Sequence, residues 1–125
     1  MFHHFHNAQH PVSQGSLGEE QFRRILEYLE TRFNLLNAGD YFDRTMSGKI
    51  QKNDICLTFD DGLKCQLDIA VPVLDEFGLK AFFFVYSGPF EGLGDSVELY
   101  RYFRTTMFPS INDFYDEFSE LAAAQ

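Results

Sequence analysis

Two short apolar runs with a helix-length segment between them constrain this chain more than any other feature. Ile55-Cys56-Leu57-Thr58-Phe59 is apolar at almost every position and stops at Asp60-Asp61-Gly62. Lys80-Ala81-Phe82-Phe83-Phe84-Val85-Tyr86 is the second run. Such near-continuous runs predict strands covered on both faces, as in a parallel sheet. On that reading the rings of Phe82 to Phe84 belong to the core. Between the runs, Asp68 reads as an N-cap, Pro72 as a first-turn residue and Gly78 as a C-terminal stop. This predicts a helix over Ile69–Phe77 with Val73, Leu74 and Phe77 toward the sheet. Strand, helix and strand with short joints make a βαβ unit, so the two strands are expected to be parallel.

The flanks carry weaker signals. Met1–Phe5 reads as a short strand and Asn7–Gly15 as a loop. Ser16-Leu17-Gly18-Glu19 fits a capping box and predicts a helix over Leu17–Phe33. Its apolar positions Phe22, Ile25, Leu26, Leu29 and Phe33 have helical spacing. Residues 34–54, with Asn37-Ala38-Gly39-Asp40 and Ser47-Gly48-Lys49, read as a loop with one short turn or strand. After the Gly/Pro stretch 87–94, Val97–Thr105 reads as a helix. Ser110, with Asp113 three residues on, opens another that runs through Leu121. The 125 residues suit one domain and are too few for two.

Charge narrows the partners. Ten basic residues against nineteen acidic give a net charge of −9. Nucleic acid and anionic membranes reward Lys/Arg clusters, and none occurs here. A neutral sugar polymer is compatible with this balance. The two cysteines, Cys56 and Cys65, form neither a Cys-x-x-Cys pair nor a disulfide framework. The start, Met1-Phe2-His3-His4, has no basic segment followed by an apolar one, and no run is long enough to span a bilayer. The compartment expected from these signals is the cytoplasm.

The chemistry-bearing stretch is Leu57-Thr58-Phe59-Asp60-Asp61-Gly62. In parallel α/β architectures, reactive groups gather at the C-terminal ends of strands. Two adjacent carboxylates there repel one another unless a cation neutralises them. Successive residues of an extended chain point to opposite sides, so one acid can bind a metal while the other takes a proton. Gly62 lets the chain turn at once. By physics alone the same residues also suit an acidic turn or a helix N-cap. A small magnesium-binding receiver domain places Asp-Asp similarly, but it needs a later Asp and Lys at strand ends that this chain lacks.

Leu57-Thr58-Phe59-Asp60-Asp61-Gly62 resembles the first motif of the polysaccharide deacetylases, family four of the carbohydrate esterases. Asp68-Ile69-Ala70-Val71-Pro72-Val73-Leu74 and Phe77-Gly78-Leu79-Lys80-Ala81-Phe82-Phe83-Phe84-Val85 resemble the helix and strand that follow it. Phe82 departs from the usual Ala-Thr-Phe-Phe. Ser16–Leu29 resembles a helix preceding the motif in longer members. Arg101-Tyr102-Phe103-Arg104 and Ser110-Ile111-Asn112-Asp113-Phe114-Tyr115 resemble a helical insertion in one branch. The resemblance implies an α/β fold: an incomplete (β/α) barrel with extra helices at its C-terminal end, residues 1–125 forming one partial domain. It implies hydrolysis of N-acetyl groups of an amino sugar or polysaccharide. Asp60 would be the general base that activates water, and Asp61 a ligand of a divalent metal, usually zinc. Phe2-His3 resembles a Tyr-His pair near the family's pocket, which makes His3 a substrate-binding candidate.

The departures are as informative. The family's second motif, a His-x-x-x-His pair that ligates the metal, has no counterpart, because no His follows His10. The Arg-x-Pro-Tyr segment and the late His that protonates the leaving amine are also missing. One carboxylate cannot hold zinc firmly, since a catalytic site takes three protein ligands. The expectation is a truncated family member, inactive alone. The competing reading is a non-catalytic fragment or interaction module, with self-association through the strand edge that an opened barrel uncovers. The His-x-x-x-His spacing of His6 and His10 reads as part of a flexible, His-rich terminus with adventitious metal affinity, next to the breakers Pro11 and Gly15.

Overall fold

The order of elements in the computed structural model, which describes residues 1–124, follows from where the chain can bury its apolar runs. Helix α1 (Glu19–Arg32) is followed by β1 (Asn34–Leu35), α2 (Ala38–Met46), β2 (Asp54–Ile55) and β3 (Thr58–Asp60). A π-helical turn (Gln66–Ala70) then runs straight into α3 (Val71–Glu76), and β4 (Phe82–Phe84) comes next. A 3-10 turn (Gly88–Glu91) leads to α4 (Ser96–Met107) and α5 (Ile111–Ala123). The βαβ expectation holds: β3 and β4 are parallel, with Thr58 opposite Phe82, Phe59 opposite Phe83 and Asp60 opposite Phe84. Phe2 bridges the other side of β3 in the same direction. Its N–H donates to Thr58 O at 2.8 Å, and its carbonyl accepts from Asp60 N at 3.2 Å. The Met1–Phe5 strand is thus reduced to single bridges at Phe2 and Phe5.

One face of this small sheet is the core. Phe59 and Phe22 are fully buried, as is Leu26. Phe59 stacks on Phe83 with ring centroids 4.7 Å apart, and Phe22 meets Phe2 and Phe5 edge-on at 5.1 Å. Edge-on and offset contacts suit the ring quadrupoles. Val73 and Leu74 of α3 close the layer from the same side. Core spacing is legible in the sequence because Leu57 and Phe59 alternate along the strand and Phe22 and Leu26 repeat along the helix.

Strand β4 corrects the sequence reading. The run 80–86 is not covered on both sides and its rings are not all core: Phe84 is 56% exposed, Phe83 is 40% exposed even where it stacks on Phe59, and Val85 and Tyr86 are also exposed. Strand β4 has one strand neighbour, and among the described residues nothing pairs with its outer edge. Composition cannot distinguish a covered aromatic strand from an uncovered one, because coverage depends on the rest of the sheet. The architecture is mixed helix and strand with small parallel sheets, and closure into a barrel is not seen among the described residues.

Three local expectations also shift. Helix α1 starts at Glu19, with Gly18 as its N-cap. Gly18 N donates to Gln21 Oε1 at 2.7 Å, whereas the Ser16 hydroxyl is engaged with Ser13 and His6. Asp68 is not an N-cap but lies inside the π-helical turn. Pro72 therefore sits inside a longer helical run, where its ring would clash with the carbonyl of residue 68 in a regular α-helix. The wide turn just before it opens the ladder at that place, with Val71 N reaching back to Gln66 O. Finally, 34–54 contains a nine-residue helix, α2, where the sequence pattern predicts a loop with one short turn or strand.

That helix is held by tertiary contacts rather than by its own sequence. Buried Asp54 accepts from Asn34 Nδ2 at 2.5 Å, Gln51 N at 3.0 Å and Arg44 Nη1 at 3.0 Å. Burial pushes its carboxyl up, but these donors together outweigh that and hold it below the usual carboxylate range. At the other end of α2, Lys80 N donates to Asn37 Oδ1 at 2.6 Å and Ala38 N to Lys80 O at 2.8 Å. The C-terminal helices match expectation more closely. Asp95 caps α4, and Ser110 and Asp113 exchange the two hydrogen bonds of a capping box at α5.

Candidate functional site

Strand β3 delivers Asp60 to its C-terminal end, as in other parallel sheets, and the chain then reverses sharply. Asp61 has φ +74°, the left-handed region that L-residues other than Asn and Asp seldom enter, and Gly62 follows with φ +62°. This turn overrides the simple alternation of an extended chain. Asp60 and Asp61 face one ring: His3 Nδ1 is 3.1 Å from Asp61 Oδ2, and His3 Nε2 is 3.9 Å from Asp60 Oδ2. A carboxylate only accepts, so the 3.1 Å contact is made by His3 Nδ1–H donating. All three side chains are partly open to solvent, between 28% and 39% exposed. A histidine 58 residues away in sequence thus joins the acid pair, because Phe2 bridges Phe59.

Gly62 is required on two counts. Its backbone is left-handed, and a Cβ there would meet Val85 Cγ2 at 2.8 Å. Gly62→Ala is expected to cost about 1–2 kcal/mol from the backbone alone, plus the cost of displacing Val85. Adding Val85→Ala should recover only the second part, which urea melts of the single and double variants will separate.

A cleft of about 340 Å³ beside Asp61 is walled by Tyr86, Asp95, Val97, Glu98 and Arg101. The Glu98 carboxylate pairs with Arg101 and approaches His4 from α4. His4 Nε2 lies 3.3 Å from Glu98 Oε1 at an angle that makes no hydrogen bond. Burial lowers its pKa below the usual histidine value, against the opposing pull of Glu98. Tyr86 is pushed above the usual phenol value, first by desolvation and then by neighbouring carboxylates led by Asp95. Sequence reasoning missed Glu98, Arg101 and Gln66. Only Gln66 left a signal: it is polar at a position spaced with Ile69, Ala70 and Val73 on a buried helix face.

Of the remaining histidines, His6 and His10 do not form a metal pair. His6 Nδ1 meets Ser16 Oγ at 2.8 Å, and His10 Nε2 meets Asp68 Oδ2 at 2.7 Å. Lys64 also bonds Asp68. Lys64 first and His10 second hold the Asp68 carboxyl below its usual range. A depressed carboxylate stabilises the fold above its unfolded pKa, and that contribution disappears as pH falls through the folded value. The 7–15 loop is therefore expected to lose amide protection below about pH 4, and Asp68→Asn should remove that acid limb. Hydrogen exchange of residues 7–15 against pH checks this.

Asp60, Asp61 and His3 offer donors that suit zinc chemically. Yet among the described residues no three His, Cys, Asp or Glu side chains group closely enough to hold an ion. The residues present therefore do not by themselves fit the divalent metal that the family resemblance implies. Also among the described residues, no helix is long and apolar enough to cross a membrane. Residues 47–101 match the family model described as polysaccharide deacetylase. The resemblance read from Leu57–Gly62 and its sequel is borne out over that stretch. No curated protein and no solved structure matches the chain.

Proposed function

We propose, from the polysaccharide deacetylase match of residues 47–101, that this chain is the acid-bearing part of a carbohydrate N-deacetylase, a single partial domain of the barrel type. The observation that carries the reading is the His3 ring set against both Asp60 and Asp61 at a strand end. In this reading Asp60 takes a proton from water as its oxygen attacks the acetyl carbonyl carbon. The C–N bond then breaks as the departing nitrogen takes that proton back from Asp60, giving the free amine of the sugar and acetic acid, which ionises to acetate. Asp61, tied to His3 through Oδ2, lines the cleft. The supporting chemistry is a general base within reach of solvent, followed directly in the chain by Asp61 on the wall of the cleft.

The test is acetate release from N-acetylated chito-oligosaccharides, with zinc or cobalt supplied in large excess because the donor set is incomplete. Release that depends on Asp60 supports the reading, and none under any metal condition overturns it. A second reading, a segment without catalysis, is favoured because no three donors group closely among the described residues. It requires that the unsubstituted chain and Asp60→Asn behave alike in the same assay. Self-association through the open edge of β4 belongs to this second reading, and sedimentation at rising concentration would reveal it.

A further inference from the structure

Gln66 is 1% exposed, which is unusual for a polar side chain on a helix, and its amide is spent on two backbone carbonyls. Nε2 donates to His3 O at 2.9 Å and to Asp60 O at 2.6 Å. Both acceptors are carbonyls, so the amide orientation is fixed by chemistry: only the NH2 end can serve them. These two carbonyls belong to the two residues that flank Asp61 in space. Elsewhere the backbone of the N-terminal segment is bonded to β3 through one bridge, with two hydrogen bonds at Phe2, beside the packing of the Phe2 and Phe5 rings on Phe59. An isolated bridge is a weak tether, and two further bonds from one nitrogen double it.

We infer that Gln66 is a positioning residue of the acid cluster, its amide tying the backbone of His3 to that of Asp60 and so setting the His3 ring against Asp60 and Asp61. The two N–H bonds of one planar amide leave it at a set angle, so they fix how far apart the two carbonyls sit. Removing them leaves two carbonyls without donors at the place where the site is assembled. The π-helical turn that starts at Gln66 is the element that presents this side chain inward. The chemical role of the cluster rests on the deacetylase reading above, whereas the positioning does not.

The experiment is long-range proton–nitrogen NMR of the histidine rings in the full chain and in Gln66→Met, a variant of similar length and volume without donors. The unsubstituted chain is expected to show His3 protonated on Nδ1, as its bond to Asp61 requires. In Gln66→Met that signature should be lost while His6 and His10 keep theirs, and any acetate release should fall on the order of 10²-fold. An unchanged His3 signature in folded Gln66→Met overturns the assignment. If that variant does not fold, the Gln66 side-chain amide protons of the unsubstituted chain decide. Slow exchange, as for buried bonded donors, supports the assignment, and exchange as fast as that of exposed Gln51 overturns it. Loss of the His3 signature in a protein that releases no acetate supports the Gln66 assignment and sinks only the deacetylase reading.

Discussion

Asp60→Asn is expected to reduce acetate release by about 100-fold or more, the usual contribution of a positioned general base. The amide keeps the shape of the side chain but accepts no proton, so the change isolates the chemical role. Asp60 is part-exposed at a strand end, and its carboxylate makes no hydrogen bond among the described residues, the approach to His3 being 3.9 Å. Folding should therefore be nearly unaffected, and thermal melts of the two proteins should overlay. Asp61→Asn is different, because it also weakens the acceptor for His3 Nδ1. Rates measured at several metal concentrations separate the two: loss of the base lowers the rate at every concentration. Equal rates for Asp60→Asn and the unsubstituted chain would leave the acid pair without a catalytic role.

Phe59→Ala is expected to destabilise the chain by about 3–5 kcal/mol, the range for deleting a buried ring. Phe59 has no exposed surface and contacts the rings of Phe2, Phe5, Phe22 and Phe83. Those rings come from the N-terminal segment, α1 and β4, so the cavity cannot close by moving one neighbour. A domain of ordinary stability has about 5–15 kcal/mol in total, so the variant should be largely unfolded at 37 °C or melt many degrees lower. Circular dichroism melts will show it. Because Phe59 is bridged by Phe2 and precedes Asp60, the His3 signature should vanish with the fold. Phe84→Ala, one residue along from the stacked Phe83 and mostly exposed, should by contrast have little effect on stability.

The site was partly legible. Asp60 and Asp61 stand out because a covered strand that ends on two acids is costly without a reason, and a following glycine marks the reversal. His3 could be singled out only by resemblance. Its approach to Asp61 depends on Phe2 lying beside Phe59, a pairing of residues 57 positions apart that no local pattern encodes. The expectation that the two acids point apart failed because Asp61 leaves the extended conformation. The sequence hides helix α2 because Asn37, Gly39 and Asp40 look like loop residues, while buried Asp54, from outside the helix, accepts from Arg44 within it and supplies what local propensity withholds.

By itself the sequence determined the periodic elements: the parallel pair around residues 57–59 and 82–84, the amphipathic helix before them, and the capped helix from Ser110. Periodicity and caps are short-range physics, complete within a few residues. Only the tertiary structure decided that the β4 face stays open, that Pro72 is absorbed by a wide turn, and that one imidazole sits against both acids. Those outcomes depend on which distant surfaces meet, and coverage, strain relief and ion pairing exist only once they have met.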